Sequence, residues 1–418
     1  MTATRIGRLG RPVTLVVCAA GWVAAATYLW RTSVPSLHLG GLDEHRFFSA
    51  RLLDRAHSFG TGEQVLWLLG TLATLAALGV LAWRLPRSVG RLGLGRVSSA
   101  IVIGMVILVT LWFVSLPFGV VDLWWQHHWG LGPFNPATWL VAQRYALSVR
   151  AVSAMATIAI VVGLAVRFPR SWWIPGGAAF VGIMALLVFV SGWLGAAGAH
   201  SLQSPALRAD VARIEATEGV HSPVRVLRVS NWTKQANAFT AGFGPSTHVV
   251  IWDTLLDDRF SRGEVDVVIA HEVGHARSRH ILKGLGWYAL FVFPAAFLVA
   301  EVTKRRGGLR NPANLPLAVL ALTVVSLAAA PFENAVSRRY EAEADWRALN
   351  ATHDPVSART LFAKFAKTSL EEPDPPALDY VWLENHPTLM QRIAMTEQWA
   401  GRTGISPGPA SPASPGGP

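Results

Sequence analysis

Apolar positions in this chain fall into long runs rather than short alternations. A membrane-spanning helix needs roughly 20 mostly apolar residues. Seven runs approach or reach that length: Val13–Trp30, Val65–Trp83, Ser99–Val121, Ala151–Val166, Trp173–Ala199, Gly284–Ala300 and Leu315–Pro331. One such run is compatible with a buried helix of a water-soluble protein. Seven in one chain are not, because each would need its own protein cover. Arg5, Arg8 and Arg11 ahead of the first run share the charge pattern of a signal peptide. Val13–Trp30 is long for such a segment and shows no convincing cleavage site, so it reads as a first membrane helix.

Between the fifth and sixth runs lies a water-compatible block, Ser201 to Lys283. Leu207, Val211 and Ile214 share one helical face, and Val224–Val229 alternates as a strand does. Two further extended pieces follow, Ala236–Phe243 and His248–Trp252, with a turn at Gly244–Ser246. Ser261 and Glu264 then form a capping box, which starts a helix expected to run through His271 and on towards the sixth span. After the seventh run, Asn334–Asn350 and Ser357–Thr368 read as helices. The tail from Gly401 to Pro418 is rich in Gly, Pro, Ser and Ala and is expected to be disordered.

Composition agrees with the pattern. The chain is 51% hydrophobic and 15% charged, and its 18 tryptophans suit the wet-and-dry boundary of a bilayer. The formal net charge of +11 permits two readings, nucleic-acid binding or loop arginines that set membrane orientation. The arginines sit between apolar runs, as at Arg84, Arg87, Arg91 and Arg96, which favours orientation and no nucleic-acid partner. The single cysteine, Cys18, excludes an internal disulfide and a cysteine-based metal site.

The chemistry concentrates at His271-Glu272-Val273-Gly274-His275, an HExxH motif. Residues four apart share a helix face, so both imidazoles can meet one ion. Glu272 lies beside the place where a zinc-bound water would sit, as a general base and then acid. Chance produces such a match on the order of once in a hundred chains of this length, and the bland alternative is a surface helix with two histidines. A catalytic zinc needs a third ligand. Glu341, with Asp345 one turn on as its supporting partner, is the best candidate, while Glu343 points away from both. The alternative there is a charged, solvated helix face. Two spans separate the motifs, which returns the chain to the same side of the membrane and lets the ligands meet.

The chain resembles the zinc-dependent CAAX prenyl endopeptidase family of multi-spanning membrane proteases. Four pieces carry the resemblance: His271–His275; Ser337-Arg338-Arg339-Tyr340-Glu341 with Ala344-Asp345; Asn237–Gly242 with Val249–Leu256; and His386-Pro387 with Arg392-Ile393. They cover roughly the C-terminal half. The resemblance implies one zinc per chain held by His271, His275 and Glu341, with Asp345 beside the ligands. It implies that Ala238, Phe239 and Gly242, with Asn237, form an edge strand pairing with an extended substrate. Asn237 and His386 would hold the substrate carbonyl and its oxyanion. It also implies a barrel of membrane helices around a chamber.

The expected fold is therefore mainly α, a polytopic helical barrel of about seven spans with a small α+β zinc-metallopeptidase domain. The expected organisation is membrane domain 1–200, metallopeptidase segment 201–283, two further spans 284–331, the rest of the metallopeptidase domain 332–400, and a tail 401–418. The expected function is hydrolysis of peptide bonds in membrane-associated, C-terminal-motif or misfolded polypeptides, by an integral protein of a bacterial cell membrane. Two alternatives stand beside it: a signalling receptor metalloprotease, which would need a sensor domain, and a transporter or scaffold with a degenerate HExxH. His127 and His128, among Trp124, Trp125 and Trp129, are either a second metal site or interfacial loop histidines. The positive-inside rule puts the site outside the cytoplasm, whereas the family's eukaryotic members face the cytosol, so its facing stays open, as does the oligomeric state.

Overall fold

The computed structural model describes residues 3–37, 39–85 and 93–409. Arg87, Arg91 and residues 410–418 of the tail lie outside the described residues.

Six of the seven apolar runs lie within a helix, and the fifth, Trp173–Ala199, overruns its helix, which ends at Gly195: α1 (Ala3–Trp30), α2 (Ala50–Arg84), α3 (Arg96–His128), α4 (Pro136–Arg167), α5 (Trp173–Gly195), α8 (His280–Lys304) and α9 (Leu315–Thr352). Six of these are long and apolar enough to cross a membrane, and α1 adds the shorter apolar stretch Val16–Trp30. Many of their large side chains face outward uncovered, among them Leu72, Phe113, Leu186 and Leu187. In water such a surface would aggregate; in lipid it is the solvent-facing side. The chain is an integral multi-pass membrane protein.

The spans form a ring. α2 packs on α3, α3 on α4, α4 on α5, α5 on α8, α8 on α9, and α9 closes on α2, while α1 lies against α8. A buried cluster of Leu78, Ile103, Ile107, Ile158, Val162 and Leu315 packs α2, α3, α4 and α9 together.

Between α5 and α8 the chain builds β1 (His200–Ser201), α6 (Pro205–Glu218), β2 (Val224–Leu227), β3 (Ala238–Ala241), β4 (His248–Trp252) and α7 (Arg262–Arg277). The sheet order is β1-β2-β4-β3. β2 and β4 run parallel, with Val226 opposite Ile251, and β3 pairs antiparallel with β4, with Thr240 opposite Val249. β3 is thus an edge strand. After α9 come α10 (Pro355–Thr368), α11 (Ala377–Trp382) and α12 (Leu389–Thr403). One core joins α6, β2, β4, α7, α9, α10 and α12 through Ile214, Val226, Ile251, Ile269, Leu349, Phe362, Ile393 and Trp399.

Local rules account for most boundaries. The expected capping box is present: Glu264 N–H donates to Ser261 Oγ at 3.3 Å and Ser261 N–H to Glu264 Oε2 at 2.7 Å. Gly219, at φ 63°, ends α6 in the left-handed conformation that glycine adopts without strain. The structure also corrects three further limits. Gly401–Thr403, expected in the disordered tail, form the last turn of α12. The motif helix does not continue into the sixth span: α7 stops at Arg277, and Arg279, at φ 54°, turns the chain before α8 begins. Conversely, the seventh span and the helix expected at Asn334–Asn350 are one continuous helix of 38 residues, despite Pro331 inside it.

Candidate metal centre

The site forms where α7 crosses α9. The crossing is close because small residues meet there. A Cβ on Gly274 would lie 3.3 Å from the Arg347 Cβ and 3.5 Å from the Ala344 backbone, and Ala344 is fully buried. This contact sets His271 and His275 of α7 opposite Glu341 and Asp345 of α9.

The Nε2 atoms of His271 and His275 lie 3.0 Å apart. His271 Nε2 is 3.1 Å from Glu341 Oε2, and His275 Nε2 is 3.5 Å from Glu341 Oε1. One ligand atom from each of the three residues falls within 4.8 Å of the other two. Among the described residues this is the single such group, and it does not include His127 or His128 at the end of α3. Two imidazole nitrogens and a carboxylate oxygen suit zinc, and three protein ligands leave a fourth position open.

Both rings are held from behind, so both present Nε2 to the same point. His271 Nδ1 lies 2.8 Å from Asp345 Oδ1. Arg392 of α12 donates to the same carboxylate, with Nε on Oδ2 at 2.8 Å and a terminal nitrogen on Oδ1 at 2.7 Å. Burial pulls the His271 proton affinity down, but its hydrogen bonds to Asp345 and Glu341 outweigh this and push its pKa up to about 10. The carboxylates around His271 thus strongly favour positive charge at this point, which a divalent cation also supplies.

Glu272 is buried beside the donors. Thr240 of β3 places its hydroxyl 2.8 Å from both the carbonyl oxygen and Oε2 of Glu272, which ties the edge strand to the motif helix. His386 approaches from the loop before α12, its Nε2 3.2 Å from Glu341 Oε2. Asn237 lies just ahead of β3, is exposed, and accepts the N–H of Ala238 on Oδ1 at 2.8 Å. Ala238 and Phe239 lie in β3, and Gly242 follows it at φ 76°.

The sequence reading attached no role to three features of this site: Thr240, the Arg392 fork, and a layer behind His275 made by His280 and Glu343. The last had a faint signal, a third histidine five residues after His275. The turn at Arg279 hid its direction.

The membrane ring, the edge strand and the HExxH-plus-glutamate donor set occur together in this one chain. Residues 201–400 match the family model described as Peptidase family M48. The fold is similar to that of the crystal structure of S. mikatae Ste24p, with a TM-score of 0.69 at 15% identity, over 90% of this chain and 96% of that one. Among curated proteins, the chain is 32% identical over 182 residues to the uncharacterized metalloprotease YhfN of Bacillus subtilis (strain 168). It is 25% identical over 185 residues to a protease HtpX homolog of Salinibacter ruber. These matches take in 41% and 40% of this chain, and 42% and 66% of the relatives, so they span less than two thirds of the relatives' length. The resemblance read from the four sequence pieces is borne out by these matches.

Proposed function

We propose that this chain is a zinc-dependent endopeptidase of a bacterial cell membrane, acting on membrane-associated, C-terminal-motif or misfolded polypeptides. The observation that carries the reading is the convergence of His271, His275 and Glu341 within 4.8 Å, with Glu272 adjoining them. His271 and His275 through Nε2, and Glu341 through its carboxylate, hold the metal. A bound zinc supplies Lewis acidity at the scissile carbonyl and lowers the pKa of water towards ~7.

The chain's own groups account for the rest. An extended substrate pairs with the free edge of β3, at Ala238–Ala241, so its carbonyls line up beside the motif helix. Glu272, aligned by Thr240, takes the proton of the attacking water and passes it to the leaving amine. His386 donates to the oxygen that gains charge as the carbonyl becomes tetrahedral, with Asn237 further along the strand holding the substrate backbone.

The test is zinc content and peptide cleavage on detergent-purified protein, with wild type beside Glu272→Gln and Glu341→Ala. Near one zinc per chain, cleavage lost in the first variant and zinc lost in the second, is the expected result. A wild type that holds no zinc would send the chain to a non-enzymatic role.

A further inference from the structure

Behind His275 stands a buried polar column that the peptidase reading does not use. His280, the first residue of α8, places Nδ1 3.0 Å from His275 Nδ1. Its other nitrogen, Nε2, lies 3.0 Å from Glu343 Oε2. The opposite oxygen of Glu343 accepts the Ser33 N–H at 2.8 Å and the Ser33 hydroxyl at 2.6 Å. Lys283 Nζ stands 3.6 Å from Glu343 Oε2. His280 and Glu343 are 5% and 3% exposed, so neither can exchange these partners for water. The Tyr340 ring stacks on His280, centroids 4.5 Å apart and planes 5° from parallel, and fixes its orientation. Tyr340 is itself pinned, since its hydroxyl donates to Leu29 O at 2.7 Å and accepts from Trp287 Nε1 at 3.0 Å.

We infer that His280 is a positioning residue of the metal centre, holding His275 in the one tautomer that leaves Nε2 free to bind a cation. The geometry points the same way: His280 is wedged between His275 Nδ1 and the Glu343 carboxylate, and with that carboxylate ionised and His280 neutral one proton arrangement fits. Two Nδ1 atoms in contact share one proton, so one ring donates and the other accepts. A carboxylate can only accept, so His280 carries its proton on Nε2, facing Glu343. A neutral His280 then has a lone pair on Nδ1. His275 must donate its Nδ1–H to that lone pair, and its own lone pair falls on Nε2, where His271 and Glu341 converge. The opposite arrangement would put a proton on His275 Nε2 and block it as a ligand.

The two histidine ligands are therefore supported differently. His271 rests directly on the Asp345 carboxylate, whereas a neutral imidazole stands between His275 and the Glu343 carboxylate. His275 thus receives the orienting bond without a second negative charge against its ring. The column also ties the centre to the segment after α1, through Ser33, 310 residues away in sequence from Glu343.

This inference rests on the zinc reading above, and its test separates the two. Full-length protein in detergent is stripped of metal, and zinc affinity is measured by competition with a chromogenic chelator. Cobalt is then bound and its visible absorption recorded. The variants are His280→Ala, His280→Asn and His280→Gln, with metal-free thermal unfolding as the control for folding. Asn can place an amide oxygen near the Nδ1 position, whereas Gln reaches towards the Nε2 position and leaves His275 without an acceptor. Expected are zinc affinity 10- to 100-fold weaker in Ala and Gln, with shifted cobalt bands, and affinity within a few-fold of wild type in Asn. Equal zinc affinity in the Asn and Gln variants, or wild-type affinity in a folded Ala variant, overturns the positioning role while leaving the zinc reading intact. A wild type that binds neither zinc nor cobalt overturns both.

Discussion

Arg392 grips Asp345 with two nitrogens, at 2.7 and 2.8 Å, in a pocket where the two residues are 8% and 3% exposed. The same carboxylate orients His271. Removing the arginine leaves the buried carboxylate with His271 as its remaining charged partner, so the cost is at most about 3–5 kcal/mol, that of breaking a buried pair. Arg392→Ala is expected to lower the unfolding temperature of purified protein sharply. Arg392→Lys should fall between, because an ammonium cannot reproduce the two-pronged contact. An Ala variant as stable as wild type would show that the pair contributes little.

Glu272→Gln keeps the shape of the side chain and a partner for Thr240 but cannot take up a proton. The expected result is a kcat lower by about 10²–10⁴, the usual contribution of a positioned acid–base group, with zinc content unchanged. Loss of zinc along with activity would instead mark Glu272 as part of the metal cradle.

Ala344 is fully buried, and its backbone lies 3.5 Å from where a Cβ on Gly274 would stand. Ala344→Val adds two methyls there. Overpacking of this kind costs about 1–3 kcal/mol and pushes α7 from α9, so zinc affinity should fall together with thermal stability. Unchanged zinc affinity in a destabilised variant would separate the packing of the crossing from the metal geometry.

Asp266, on α7, is 8% exposed, and its Oδ1 has no hydrogen-bond partner among the described residues. Burial first, then the charge of Asp210, push its pKa up to about 6 from an ordinary 3.8, against the pull of Arg213. The neutral form is favoured in the fold, so this group's contribution to stability is lost as pH rises from about 4 to about 6. Asp266→Asn removes that loss. The variant should be more stable than wild type above pH 6, by on the order of 1–3 kcal/mol, and no more stable at pH 4. Unfolding temperatures at pH 4 and pH 7.5 decide it, and a gain equal at both would rule out ionisation as the cause.

Much of the membrane part was legible from apolar run length alone, because a helix in lipid must satisfy its own backbone and expose apolar side chains on its outer face. The small domain was legible at His248–Trp252, which reappears as β4 with the same limits, and at the Ser261–Glu264 cap. The break at Arg279 was not. A non-glycine residue in the left-handed region leaves no compositional mark. Nor did the sequence show that the last span and the Glu341 helix are one rod, since Pro331 suggested a boundary that tertiary packing overrides.

The sequence by itself determined where the membrane helices fall along the chain, six of them long and apolar enough to cross a membrane, and the placing of His271 and His275 on one helix face. It also placed Glu341 and Asp345 on one face of another helix. These are local geometries, set by a repeat of 3.6 residues per turn and by what lipid tolerates. Only the tertiary structure decided that the faces meet, that Arg392 from α12 closes over Asp345, and that His280 and Glu343 stand behind His275. Glu341 and His271 are 70 residues apart, and Ser33 and Glu343 are 310 apart. Over such separations no periodicity carries information. The contacts depend on how closely two helices approach, and here the fit of Gly274 against Ala344 sets that distance.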